Sequence, residues 1–161
     1  MNALVTVIFA IVFFGFILLS IALHEIGHML PAKLFGIAVP KYFVGFGKTL
    51  WSFRRGETEY GVKAVPLGGY VRLVGMCPPA RASAKPGWLT RLADDARAVE
   101  YEEITPADDG RLFYQKKTWQ KIIIMLGGPA MNILLAFLIF LGINVFHGVY
   151  QPGLEVAFVS E

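Results

Sequence analysis

Residues 3–28 read ALVTVIFAIVFFGFILLSIALHEIGH, and this stretch decides the fold. Its first 21 residues, 3–23, carry no charge and as a helix would run about 32 Å, enough to cross a bilayer. A cleaved signal peptide fits poorly, since there is no basic leading segment, the apolar run is too long, and no small-x-small cleavage site follows it. The run ends instead on His24-Glu25-Ile26-Gly27-His28. Histidines four apart on a helix lie about 40° apart around its axis, one turn up, so both imidazoles can bind one Zn²⁺. Glu25, next to the first histidine, is placed to take a proton from an attacking water and pass it to a leaving amine.

The plainer alternative is a pair of interfacial histidines with a snorkelling glutamate. Context weighs against it. Two of the three histidines fall in this motif, and no other acid precedes Glu57. Ionisable side chains beside a spanning helix are expensive, and their default reading is functional. Two histidines still need a third protein ligand. The extended pattern with a glycine and a third histidine fails, because Pro31 and Leu34 occupy those positions. Glu57 and Glu59 lie in a predicted hairpin and Asp108-Asp109 in a polar linker, so the third ligand is expected outside this chain.

Outward from the motif, all fifteen Lys and Arg residues lie between Lys33 and Lys121 with nine acids, making the middle +6 while the ends are almost uncharged. The 161 residues are 55% hydrophobic and 17% charged, against about 25% charged in a soluble domain. That excludes a disordered chain. The basic residues form no helix stripe, zinc-finger spacing or RNA-binding signature, so no nucleic-acid partner is expected. Cys77 is the lone cysteine, which excludes an intramolecular disulfide.

A second apolar run, 122–154, lacks Asp, Glu, Lys and Arg. Gly127-Gly128-Pro129 interrupts it, and proline suits a first helical turn, so the spacing predicts a regular helix over 129–146 after an irregular lead-in at 122–128. Lys33, Lys41 and Lys48 follow the first span and Lys116, Lys117 and Lys121 precede the second. The positive-inside rule then places residues 31–121 in the cytoplasm of a multi-pass inner or plasma membrane protein, with the N-terminus and C-terminal tail outside.

Between the spans, runs rich in Val, Tyr, Phe and Trp at 41–46, 49–53 and 58–65 read as strands, with a turn at 54–57. Leu89, Leu92, Ala96 and Val99 share helical spacing within a polar insertion. The organisation is a first transmembrane helix over 1–30 ending in the histidine motif, a β-rich segment over 31–76, a polar cytoplasmic insertion over 77–121, and a second transmembrane segment over 122–150. The class is membrane α+β.

These residues resemble the site-2 protease family of intramembrane zinc metalloproteases, in its bacterial regulator-of-sigma branch. The resemblance rests on the histidine motif ending a first span, then Ala32-Lys33-Leu34-Phe35-Gly36, Val44-Gly45-Phe46-Gly47, Pro66-Leu67-Gly68-Gly69-Tyr70-Val71 and Gly128-Pro129-Ala130-Met131-Asn132. It implies Zn²⁺ held by His24 and His28, catalysis by Glu25, and hydrolysis within the membrane span of an anti-sigma-factor-type substrate. It further implies a membrane-reentrant β-loop at 66–71, with Gly68, Gly69 and Tyr70 holding an unwound substrate by strand addition and Asn132 hydrogen-bonding near the site. Family members continue into PDZ domains and a span bearing the third ligand, an aspartate; 151–161 resembles the start of such a domain, and the chain is read as the N-terminal half. A catalytically inactive membrane scaffold or regulator with this fold is the alternative.

Overall fold

The computed structural model describes residues 2–79, 87–101, 104 and 108–148. Helix α1, Ala3–Leu34, is followed by strands β1, Lys41–Arg55, and β2, Thr58–Arg72, then helix α2, Trp88–Tyr101, a single 3₁₀ turn at Phe113–Gln115, and helix α3, Thr118–His147. α1 runs past the histidine motif and contains Pro31 in its last turn. The stretch 151–161, expected to begin a further domain, lies outside the described residues.

Both α1 and α3 are long and apolar enough to cross a membrane. Their side chains face outward: Phe9 is 65% exposed and Phe140 67%, whereas a core helix of a soluble protein would bury such residues. α1 packs against both α3 and the sheet. The class is thus membrane α+β.

The irregular lead-in expected at 122–128 is not observed. α3 is helical from Thr118 through Gly127, Gly128 and Pro129. Proline removes one helical hydrogen bond and crowds the preceding turn, a cost of about 3 kcal/mol in an unsupported helix. Here the helix is held by packing, since Gly27 of α1 and Gly127 of α3 meet backbone to backbone, with no room for a Cβ on either. Small residues at such a crossing let dispersion contacts replace a hydrophobic drive that lipid does not supply.

β1 and β2 form an antiparallel sheet joined at Gly56 and Glu57. Each strand is bent, and the register shows how. Residues 49–55 pair with 58–63, while 41–44 pair on one side with 59–62 and on the other with 69–72. Gly45, at φ +93°, makes the bend in β1, and a Cβ there would lie 2.9 Å from the carbonyl oxygens of Lys63 and Val65. Segment 69–72 is consequently an outer segment, and its second edge pairs with no strand among the described residues.

The sheet's inner face carries Tyr42 and meets α1 in a core of Met29, Ala32, Ile37, Val39, Leu73 and Ile124. Tyr42 donates to the Ala22 carbonyl at 2.8 Å, and Lys33 donates to the Tyr60 hydroxyl at 2.9 Å. Sheet and helices are thereby joined around the inner end of α1.

Candidate active site

Ser20, His24 and His28 succeed one another at intervals of four on α1, and Ile124, Gly128 and Asn132 do the same on α3. Residues so spaced share a helix face. His28 Nδ1 donates to the Ile124 carbonyl at 2.7 Å, which pins the two rows together and fixes the imidazole with its proton on Nδ1. Its Nε2 is then left as an acceptor and lies 3.2 Å from His24 Nε2, with the rings nearly perpendicular at 79°.

That separation fits a divalent metal. In a tetrahedral site with Zn–N bonds of 2.0–2.1 Å, two nitrogens stand about 3.3 to 3.4 Å apart. The hydrogen bond from the distal ring nitrogen to a backbone carbonyl is the support that metal-ligating histidines ordinarily have. Space is reserved as well, since a Cβ at Gly128 would stand 2.6 Å from His24 Nε2 and closer still to His28 Nε2. His24 and His28 can therefore hold the ion.

Glu25 lies between two cavities. One, of about 240 Å³, is lined by Ser20, Ile21, His24, Glu25, Gly68, Gly69 and Asn132. The other, of about 230 Å³, has Glu25 and His28 facing Gly69, Tyr70 and Val71. Gly69 belongs to both, and a Cβ there would stand 3.0 Å from Glu25 Cγ and 3.1 Å from Ile21 Cγ2. Every site residue expected from the sequence thus lines one or other cavity. A larger concavity of about 440 Å³, between Leu30 and Leu134 beside the glycine crossing, is walled by apolar residues.

Among the described residues no group of three His, Cys, Asp or Glu side chains could hold a metal. The weighed carboxylates are engaged elsewhere. Glu57 pairs with Arg111, Glu59 accepts from Ser52 Oγ at 2.8 Å, and Asp109 accepts from Gln115 at 2.8 Å.

Two residues of the site region went unremarked in the sequence. Ser20 could have been found as the residue one turn before His24 on the same face. Tyr42 carried no such signal, because its place beside Glu25 depends on sheet packing. Burial, the Glu25 carboxylate and Tyr60 push the Tyr42 hydroxyl up to about 12.

Two apolar helices hold a paired-histidine, single-glutamate motif against a sheet edge, the arrangement of a membrane protein with two candidate metal ligands on one helix. Residues 9–159 match peptidase family M50, and the chain belongs to that family. It is 42% identical over 132 residues to zinc metalloprotease Rip1 of Mycobacterium tuberculosis, a match covering 82% of this chain and 27% of the relative. It is 38% identical over 143 residues to zinc metalloprotease Rip1 of Mycolicibacterium smegmatis, covering 84% and 30%. The chain thus spans less than a third of the length of these curated relatives.

Proposed function

We propose that this chain carries two zinc ligands, the proton-transferring carboxylate and the substrate-binding strand of an intramembrane endopeptidase. The substrate is a peptide bond in or near the membrane span of another protein, of the anti-sigma-factor type. The carrying observation is the 3.2 Å approach of two histidine nitrogens in a cavity that also contains Glu25 and the strand residue Gly69. The relatives' names, zinc metalloprotease, support the zinc-protease part of this reading.

His24 and His28 would hold Zn²⁺, with the third ligand a carboxylate outside the described residues. When bound, zinc supplies Lewis-acid polarisation of the scissile carbonyl and of water. Glu25 accepts a proton from the water that attacks the carbonyl carbon. Its carboxyl then gives that proton to the amide nitrogen as the C–N bond breaks, leaving a carboxylate and an amine.

A transmembrane helix keeps its backbone bonds to itself, so it must open before its carbonyls can be attacked. Gly69, Tyr70 and Val71 are consecutive and therefore belong to both faces of the sheet, yet all three line the Glu25–His28 cavity, which supports an edge presented to the site. An opened substrate adds to that edge as a strand. Phe46, Trp51 and Leu67 leave their side chains exposed near the bend, with Leu67 at 77%, which supports a β-loop dipping into the bilayer from the cytoplasmic side. The N-terminus and the chain after α3 then lie outside.

Expression of the whole protein with Glu25→Gln tests this reading. The variant should keep zinc at the wild-type stoichiometry and lose hydrolysis of a membrane-spanning reporter by 10² to 10⁴-fold, the usual contribution of a positioned acid–base group. Equal turnover in variant and wild type would overturn the role of Glu25. Zinc-free wild-type protein would favour the scaffold alternative.

A further inference from the structure

The facing rows of the active site continue past the histidines. On α1 the row runs His28, His24, Ser20, Phe16, and on α3 it runs Ile124, Gly128, Asn132, Ala136. Since His28 meets Ile124 and Gly128 meets both histidines, the antiparallel helices set Ser20 across from Asn132. Both residues line the cavity with His24 and Glu25, and both also line a groove of about 280 Å³ whose other walls, including Phe13, Phe16, Leu135 and Ile139, are apolar. The groove and the cavity that holds His24 and Glu25 adjoin, and this polar pair lines both.

Neither side chain has a hydrogen-bond partner among the described residues. The contrast with Asn144 on the same helix is direct, for that side chain donates to the Phe140 carbonyl at 2.7 Å. Serine in a membrane helix ordinarily bonds back to the carbonyl one turn earlier. A polar group left open at bilayer depth is costly and marks a functional position.

We propose that Ser20 and Asn132 form a collar that caps the end of the substrate's helix where it is opened. The still-helical part of the substrate span occupies the apolar groove, and the opened part passes into the catalytic cavity. The physical need is specific. A helix interrupted in hydrocarbon exposes up to four backbone groups at each new end that water cannot reach. A hydroxyl and a carboxamide can each donate or accept, so the pair can cap a helix end of either polarity. This inference rests on the endopeptidase reading and names the substrate contact that goes with it.

The test uses the full-length enzyme and a single-spanning reporter that the wild type cuts. A second version of the reporter carries Gly-Pro on the groove side of the scissile bond, so that its helix is already broken. Ser20→Ala and Asn132→Ala should each slow cleavage of the intact span about five- to tenfold, the worth of one hydrogen bond at this depth, and slow the broken span less than twofold. Ser20→Thr, which keeps the hydroxyl, should restore the intact span. Zinc content, measured in every variant, should not change. Equal slowing of both reporters, or no slowing of either, overturns the collar. Crosslinking from Ala136→Cys should capture the reporter, and capture only of another part of the enzyme itself overturns the groove's occupant. A wild-type protein that binds zinc but cuts no spanning reporter removes the endopeptidase reading and this one with it, whereas normal cleavage insensitive to Ser20 and Asn132 removes this one alone.

Discussion

Gly128 of α3 stands against His24 of α1, so close that a single added methyl would come within 2.6 Å of the histidine's Nε2. The Nε2 atoms of the two histidines on one helix are thus walled by bare backbone of the other. Gly128→Ala should force the imidazoles apart or push the helices apart. The expected outcome is a loss of zinc affinity of 10- to 100-fold, the range seen when the support of a metal ligand is disturbed. Competition with a chelator of known affinity measures it.

Gly127 carries the crossing itself. Its Cβ would collide with the Gly27 carbonyl oxygen, which lacks its usual helical donor because the residue four further on is Pro31. Gly127→Val should lower stability in detergent by 1 to 3 kcal/mol or more, the cost of overpacking a close contact. Unfolding of the purified protein reads this directly, and His28, held by Ile124 four residues before Gly128, should lose its hydrogen bond in the same variant.

Gly69→Val places branched carbon where Glu25 Cγ and Ile21 Cγ2 would stand only 3.0 and 3.1 Å from its Cβ, tighter than ordinary van der Waals contact. The proposed addition of a substrate strand would need that space. The variant should keep zinc, because Gly69 touches neither histidine nitrogen, and should lose cleavage by an order of magnitude or more. Loss of zinc with cleavage would place Gly69 in the fold rather than in substrate binding.

Tyr42 ties the sheet to α1 at Ala22, two residues before the first histidine. Its hydroxyl ionises near 12 in the folded protein against 10 in an unfolded chain. Folding therefore retains a proton that the unfolded chain has released between those values. The stability Tyr42 contributes is fully present below pH 10 and is lost as pH rises toward 12. Tyrosinate absorbance should show a late-titrating component that disappears in Tyr42→Phe. That variant should also be less stable at neutral pH by about 0.5 to 1.5 kcal/mol.

Much of this protein was legible in its sequence because membranes impose strong local constraints. Two long uncharged runs could only be membrane helices or a leader, and residues 24–28 carried metal-ligand spacing within five positions. The helix over Trp88–Tyr101 followed from local periodicity in the same way. Pro129 misled, because its effect on a helix depends on whether a neighbour supports the strained turn, and that neighbour, Gly27, lies a hundred residues away in the chain. The strands were found, but not their double bend, which is set by pairing partners rather than by composition.

The sequence by itself determined the elements and the chemical groups: two apolar helices, a histidine pair with its glutamate, a glycine-punctuated β segment. Only the tertiary structure decided how they meet. It sets Ile124 against His28 to orient the imidazole, Gly128 against the Nε2 atoms of both histidines, and Gly69 against Glu25. Periodicity acts within one helix or strand and survives in the order of residues. The approach of α3 to α1 and of the bent sheet to both is settled by packing between distant segments, where the space left by an absent side chain matters as much as any side chain present.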